Sequence, residues 1–254
     1  EAQIQVTTAG DEESTLDDGL VAYYPFNGNA EDESGNGNNG TLQGGAQITN
    51  GILDLNGSDA WVEFAGAVIP QQSSYSISMQ VNARNVIANG GAGDTLSSIL
   101  NQSGGSQGFG LGIWGTGGIR LPLTDHNPNG TTEFSLADDG NLHSLTLVID
   151  NDEDRTFLYY DGELVRSYEE GHLVGDLTTS GFRIGRQNSW LPQQPEFFNG
   201  QIDELRIYSR ALSEEEVSEL HELEKPGLEP LYVNAAATGE NNGTSWADAY
   251  TDLQ

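Results

Sequence analysis

YSISMQVNA, Tyr75–Ala83, places Tyr75, Ile77, Met79 and Val81 on one side of an extended chain and Ser76, Ser78, Gln80 and Asn82 on the other. Successive side chains of a strand point to opposite faces, so this period of two predicts a strand with one face in a core. Leu145, Leu147 and Ile149 repeat the pattern. Short runs of this kind dominate from Leu20 to Tyr208. They are punctuated by Asn-Gly pairs beginning at Asn27, Asn36, Asn39, Asn50, Asn56, Asn89, Asn129, Asn199 and Asn242. Each pair supplies the positive φ that a tight turn demands. Many antiparallel strands joined by such turns predict an all-β fold, an antiparallel jelly-roll sandwich.

The composition agrees. At 254 residues the chain is long enough for one large β domain or two modest ones, and it can build a core without disulfides. It has Cys 0, and Gly 33 against Pro 8 describes a turn-rich protein. Lys+Arg 9 against Asp+Glu 39 leaves a formal charge of −30, which repels nucleic acid, anionic membrane surfaces and acidic polysaccharides at long range. Lys225 is the one lysine, which argues against chemistry built on a buried lysine. No apolar run approaches the roughly 18 residues of a membrane span, and the opening EAQIQVTTAG lacks a basic n-region, so membrane insertion is not expected. Abundant acid without cysteine points to a secreted or cell-surface bacterial protein, monomeric, in surroundings salty enough to screen self-repulsion.

Residues 1–18 carry six acids and no base, and read as an acidic flexible leader. Near the other end ALSEEEVSELHEL predicts a helix, with Ser213 as N-cap, Glu216 completing a capping box, and Val217, Leu220 and Leu223 as its apolar stripe. KPGLEP, 225–230, then breaks regular structure as a linker. Residues 231–254 are too few for a core and read as the start of a further domain of a longer protein.

LVAYYPFNGNAEDESGNGNNGTL (Leu20–Leu42) resembles the opening of laminin-G-like, concanavalin A-like jelly-roll domains of secreted bacterial proteins. LDLNGSDAWVEF, YSISMQVNA, TFLYYDGELV, FRIGR and FNGQIDELRIYSRALSEEEV follow in family order. The resemblance covers 19–224 and implies a jelly roll there. Leu142 departs from it, standing where the family usually has tryptophan. YVNAAATGENNGTSWADAYTDLQ resembles the opening of right-handed parallel β-helix domains of extracellular polysaccharide lyases and adhesins.

The loop Asn27–Gly40 surrounds Asp32 with asparagine and glycine, and Asp203 opens the last strand-like run. Calcium takes about six to eight oxygens, and glycine-rich turns expose carbonyls well. The resemblance implies more. Jelly-roll relatives, bacterial β-glucanases among them, hold a structural Ca²⁺ with the aspartate that opens the final strand and with carbonyls of the first strand and of the glycine before the next. These correspond here to Asp203, Asn27 and Gly51, with Asp32 as a further carboxylate. The alternative that Asp32 and its asparagines merely form Asx-turns stays open. Asp150, Asp152 and Asp154 have EF-hand spacing, but Arg155 stands where glycine is needed, so they read as a hairpin tip.

Enzymatic jelly rolls carry their carboxylates as Glu-x-Asp-x-Glu along one strand, and no such run exists here. His126, His143, His172 and His221 show no metal spacing, and no serine sits in a nucleophile elbow. Binding is the better expectation, because sugar faces stack on exposed aromatics while hydroxyls bond to amides and guanidinium groups. The candidates are Trp114 and Trp190, with Arg120, Arg186, Gln187 and Asn188, and with Gln80 or Asn82. Trp61, in WVEF, reads as core. The sequence therefore predicts a non-catalytic carbohydrate-binding or adhesion module, calcium-stabilised, whose partner is an extracellular glycan or a cell-surface protein. A spacer or protein-adhesion domain without sugar ligand, and an accessory domain of a polysaccharide lyase, are the alternatives.

Overall fold

A computed structural model describes residues 15–71, 73–84, 96–102, 109–114, 118–121, 131–169, 181–187 and 197–224. Most of the leader, the linker and the β-helix-like segment lie outside the described residues. The chain divides into units Glu1–His221 and Glu222–Gln254, and all the strands belong to the first.

In chain order the strands are β1 Leu20–Tyr24, β2 Gly40–Gln43, β3 Gln47–Thr49, β4 Ile52–Asn56, β5 Trp61–Phe64, β6 Tyr75–Ala83, β7 Leu96–Gln102 and β8 Phe109–Trp114. Then come β9 Gly118–Arg120, β10 Thr131–Ser135, β11 His143–Asp150, β12 Arg155–Tyr160, β13 Glu163–Tyr168, β14 Phe182–Ile184 and β15 Asn199–Tyr208. Two antiparallel sheets result. An eight-stranded sheet runs β13-β12-β11-β6-β15-β4-β3, with β1 also on β15, and a seven-stranded sheet runs β10-β9-β8-β7-β14-β5-β2. The jelly-roll expectation is met.

The alternation read in β6 places Tyr75, Ile77, Met79 and Val81 in the core between the sheets, beside Leu145, Leu147 and Ile149 of β11. Phe64, Val62, Phe182 and Ile184 close it from the other sheet. The last strand sits in the middle of its sheet. Along one edge it pairs with β6; along the other it pairs first with β4, Ile202 opposite Leu53, and then with β1, Leu205 opposite Tyr24 and Tyr208 opposite Leu20.

The helix α1, Glu214–Leu223, begins as expected: the Ser213 amide donates to Glu216 Oε2 at 2.9 Å, and the Glu216 amide donates to Ser213 Oγ at 3.2 Å. Val217 and Leu220 pack with Leu16, Val148, Tyr159, Tyr208 and Leu212 on the outer face of the larger sheet, whereas Leu223 is exposed. Within the stretch read as a leader, Thr15–Asp17 forms a 3₁₀ turn whose leucine, Leu16, is buried. Asn50-Gly51 is the two-residue turn between β3 and β4, with φ of 54° and 80°, as a hairpin requires. Asn199-Gly200 instead lies within β15. A side chain at Gly200 would put its Cβ 2.3 Å from the Asn82 carbonyl, so that glycine serves close strand approach and not a turn.

Candidate functional site

The outer face of the seven-stranded sheet gathers the polar and aromatic residues that its strands turn away from the core. In β5, Val62 and Phe64 point inward, so Trp61 and Glu63 point outward. In β14, Phe182 and Ile184 point inward and Arg183 outward, directly opposite Glu63. Trp61 is thus half-buried on the outside of the sandwich, which corrects its reading as core. An acid two residues from it is the signal that marks this parity as the outer one.

Arg183 and Glu63 form a bidentate pair, with Nη2 to Oε1 at 2.8 Å and Nε to Oε2 at 2.8 Å. The indole Nε1 of Trp61 donates to the same carboxylate at 3.0 Å. Past Ile184 the chain bends at Gly185, and Arg186 bridges to Phe197. Its guanidinium lies 4.6 Å from the Trp61 ring centroid and 5.6 Å from that of Phe197, the two rings being 6.0 Å apart. Arg183 Nη1 and Arg186 Nε are buried without a hydrogen-bond partner among the described residues.

The same row continues away from β5. Arg183 stands opposite Asn101 of β7, and Asn101 opposite Gly110 of β8. Phe109, Leu111 and Ile113 face the core, which leaves Gly110 and Gly112 on the outer face, Gly110 part-exposed and Gly112 buried. Arg120 of β9 pairs with Gly112, and its Nη1 would stand 3.7 Å from a Cβ at Gly110. Three of the chain's eight arginines thus share one sheet face, and Glu63 is the one carboxylate in strands β2, β5, β14, β7, β8 and β9.

Of the expected ligand-binding residues, Arg120 and Arg186 are brought to this face. Trp114 ends β8, its backbone opposite Leu96, and its side chain lies outside the described residues, as do Asn188 and Trp190. Gln187 follows Arg186, with a buried Oε1 that has no partner among the described residues. Gln80 and Asn82 do not contribute. They belong to the other sheet and are 4% and 3% exposed, Asn82 Nδ2 donating to Gln201 Oε1. Their parity looked like a solvent face in sequence, but neighbouring side chains cover it.

The expected metal residues divide. Asp32 Oδ1 accepts the amides of Tyr23 at 3.0 Å and Ser34 at 2.9 Å, and its Oδ2 accepts that of Asn38 at 2.9 Å. Burial opposes its ionisation, but these hydrogen bonds outweigh it and hold its pKa below the usual value. It is occupied as a loop lock, the Asx-turn alternative. Asn27 and Gly51, by contrast, approach each other, and Asp203 lies in β15 between the residues that pair with β4 and with β1. A Cβ at Gly51 would lie 3.2 Å from Asn27 Oδ1. Asp203 is half-buried and accepts the Glu204 amide at 3.0 Å; burial and the charge of Glu204 push its pKa up to about 7. Phe26, Asn50 and Glu204 all have positive φ, which turns backbone groups out of the ladder here. No cluster of three acid or histidine side chains fit for a metal occurs among the described residues. Asp203 offers one half-buried carboxylate whose charge the Glu204 amide only partly offsets, an oxygen donor of the kind a hard cation takes.

The tip between β11 and β12 is a turn as expected: Asp150 Oδ1 accepts the amides of Asp152 and Glu153. No helix among the described residues is long and apolar enough to cross a membrane.

Two antiparallel sheets packed face to face place the chain in the class of two-sheet β-sandwich domains. Residues 56–218 match the model of the Laminin_G_3 family, described as the concanavalin A-like lectin/glucanases superfamily, and the chain belongs to this family. Among solved structures, the chain is similar to the binding domain of botulinum neurotoxin DC in complex with SialylT, with TM-score 0.62 and 14% identity over 86% of this chain and 54% of that one. It is similar to the same domain in complex with rat synaptotagmin II, with TM-score 0.62 and 15% identity over 86% and 54%. It is also similar to domain 4 of AbnA, an extracellular arabinanase from Geobacillus stearothermophilus, in complex with arabinotriose, with TM-score 0.55 and 21% identity over 80% and 98%. These are likenesses of fold, and the chain spans about half the length of the toxin domains. No curated protein sequence matches the chain.

Proposed function

We propose that this domain is a non-catalytic carbohydrate-binding module of a secreted or cell-surface protein, and that its ligand seats on the outer face of the seven-stranded sheet. The observation that carries this reading is Arg186, held against Trp61 and Phe197 on the same face as Arg120, Arg183 and the part-exposed Gly110. An aromatic-backed guanidinium is suited to hydroxyl-rich, weakly apolar surfaces. The arabinotriose and SialylT complexes of the fold neighbours support a sugar ligand, and the synaptotagmin complex supports a cell-surface protein as the second reading. Glu63 is committed to Arg183 and Trp61, an arrangement that serves binding and not acid catalysis.

A calcium ion held by Asp203, with oxygens of Asn27 and Gly51, would neutralise a carboxylate that the fold half-buries without adequate compensation. Its contribution is structural. The test of function is binding of the full chain to a panel of immobilised oligosaccharides, with and without calcium, beside Trp61→Ala and Arg186→Ala. Loss of binding in folded variants supports the reading. A folded parent chain that binds no glycan turns the choice to the spacer or protein-adhesion alternative.

A further inference from the structure

In a chain with Asp+Glu 39 against Lys+Arg 9, a cation finds an acid easily. Arg84 pairs with Asp54, Arg155 with Glu169, Arg183 with Glu63, Arg206 with Glu204 and Arg210 with Glu216. Arg186 does not. Its guanidinium has no ion pair or hydrogen bond among the described residues, although Glu63 bonds the same indole on which it rests. Glu63 is engaged by two Arg183 nitrogens and Trp61 Nε1 and so is not redirected toward Arg186.

Stacking on aromatic rings fixes the plane of a guanidinium and leaves its N–H groups radiating in that plane. This is the fork geometry that meets a planar carboxylate through two parallel hydrogen bonds. Resting on the carbohydrate-binding reading above, we propose that the ligand of this face is a sugar bearing a carboxylate, a hexuronate or related sugar acid, with its carboxylate on Arg186. The rest of the face fits a single such charge on a hydroxyl-bearing ring. Gly110 is part-exposed and carries no side chain beside Arg120, and Trp61 is half-buried on the same face. Glu63 and the −30 overall charge act against a densely charged partner, so an isolated acidic residue in an otherwise neutral glycan is preferred over a polyanion.

The experiment is calorimetric titration of the full chain with galacturonate, with its methyl ester, and with galactose, the carboxyl-reduced neutral sugar. Galacturonate is expected to bind at least about tenfold more tightly than either neutral form, the scale of one charge-assisted hydrogen bond. Arg186→Gln, checked for an unchanged melting temperature, is expected to abolish that preference, while Arg84→Gln on the other sheet keeps it. Equal affinity for acid and ester, or a preference that survives Arg186→Gln, overturns the proposal while leaving the carbohydrate reading standing. Binding of the acetylated dipeptide Gly-Gly as tight as that of galacturonate shows a carboxylate site not specific to sugars, and overturns the sugar assignment. A chain that binds neither these ligands nor any glycan of the panel loses both readings together.

Discussion

The carboxylate of Asp32 accepts the amide N–H of Tyr23 at 3.0 Å across nine residues of chain, and with the Ser34 and Asn38 amides it ties the loop after β1 back onto that strand. Asn36 and Asn38 assist, their Nδ2 groups donating to the Val21 carbonyl at 3.1 and 3.0 Å. A loop with the composition of a metal site thus carries hydrogen bonds from its own amides to its central carboxylate.

Asp32→Ala should therefore cost about 2 kcal/mol, because several amides lose an ionised acceptor at once. Asp32→Asn, which keeps one oxygen, should cost less. Urea unfolding of both variants checks this, and the calcium response of the melting temperature should persist in each. Loss of that response in Asp32→Ala would return Asp32 to the metal site.

For Asp203 the sign of a mutation should depend on calcium. In EDTA, Asp203→Asn removes an undercompensated half-buried charge and should melt above the parent at pH 8. With calcium at about a hundred times Kd, the parent gains about 2.7 kcal/mol and should overtake it. A parent whose melting is indifferent to EDTA would end the calcium assignment.

His143 stacks on Tyr160, with Nδ1 2.8 Å from Asp161 Oδ2 and Nε2 3.2 Å from Asp139 Oδ1. Burial pushes its pKa down, but the hydrogen bonds and charges of the two aspartates prevail and raise it. The folded state thus holds its proton more tightly than the unfolded one. The resulting stabilisation is complete below the unfolded value of about 6.5 and is lost as pH rises through the raised folded value. Melting temperature measured from about pH 5.5 to 9 should show this decline in the parent and a smaller one in His143→Gln. Parallel curves would show that the cluster is not linked to folding.

Asp152→Ala, at the exposed hairpin tip, should change stability by no more than about 0.5 kcal/mol, with or without calcium. A calcium-dependent loss at that position would reveal a second ion site.

Much of the fold was legible because the period of two survives in Tyr75–Ala83 and Leu145–Ile149, and because Ser213 and Glu216 mark a helix start by local chemistry. The site was less so. Alternation pairs Trp61 with Glu63 and Val62 with Phe64, but both sets contain an aromatic, and hydrophobicity alone selects neither. The polar set of β6 fails for the opposite reason. Ser76 is capped by the Leu212 amide and Asn82 by Gln201, from elements far away in sequence. Asp32 carries the same composition signal as a calcium loop and as an Asx-turn, and only the direction of its oxygens separates them.

That β15 is both the final strand and the central one of its sheet has a consequence for the order of assembly. While a nascent chain lacks Asn199–Tyr208, the larger sheet exists as two fragments, β13-β12-β11-β6 and β4-β3, each with an open edge, and β1 has nothing to pair with. Such distant pairings close slowly and leave strand edges exposed to other chains until they do. A chain ended before Asn199 should accordingly collect in aggregates, and refolding of the whole chain should be slowed by Ile202→Ala, which weakens the strand that joins the halves. Monomeric, native-like spectra from the truncated chain would show that the fragments hold without it.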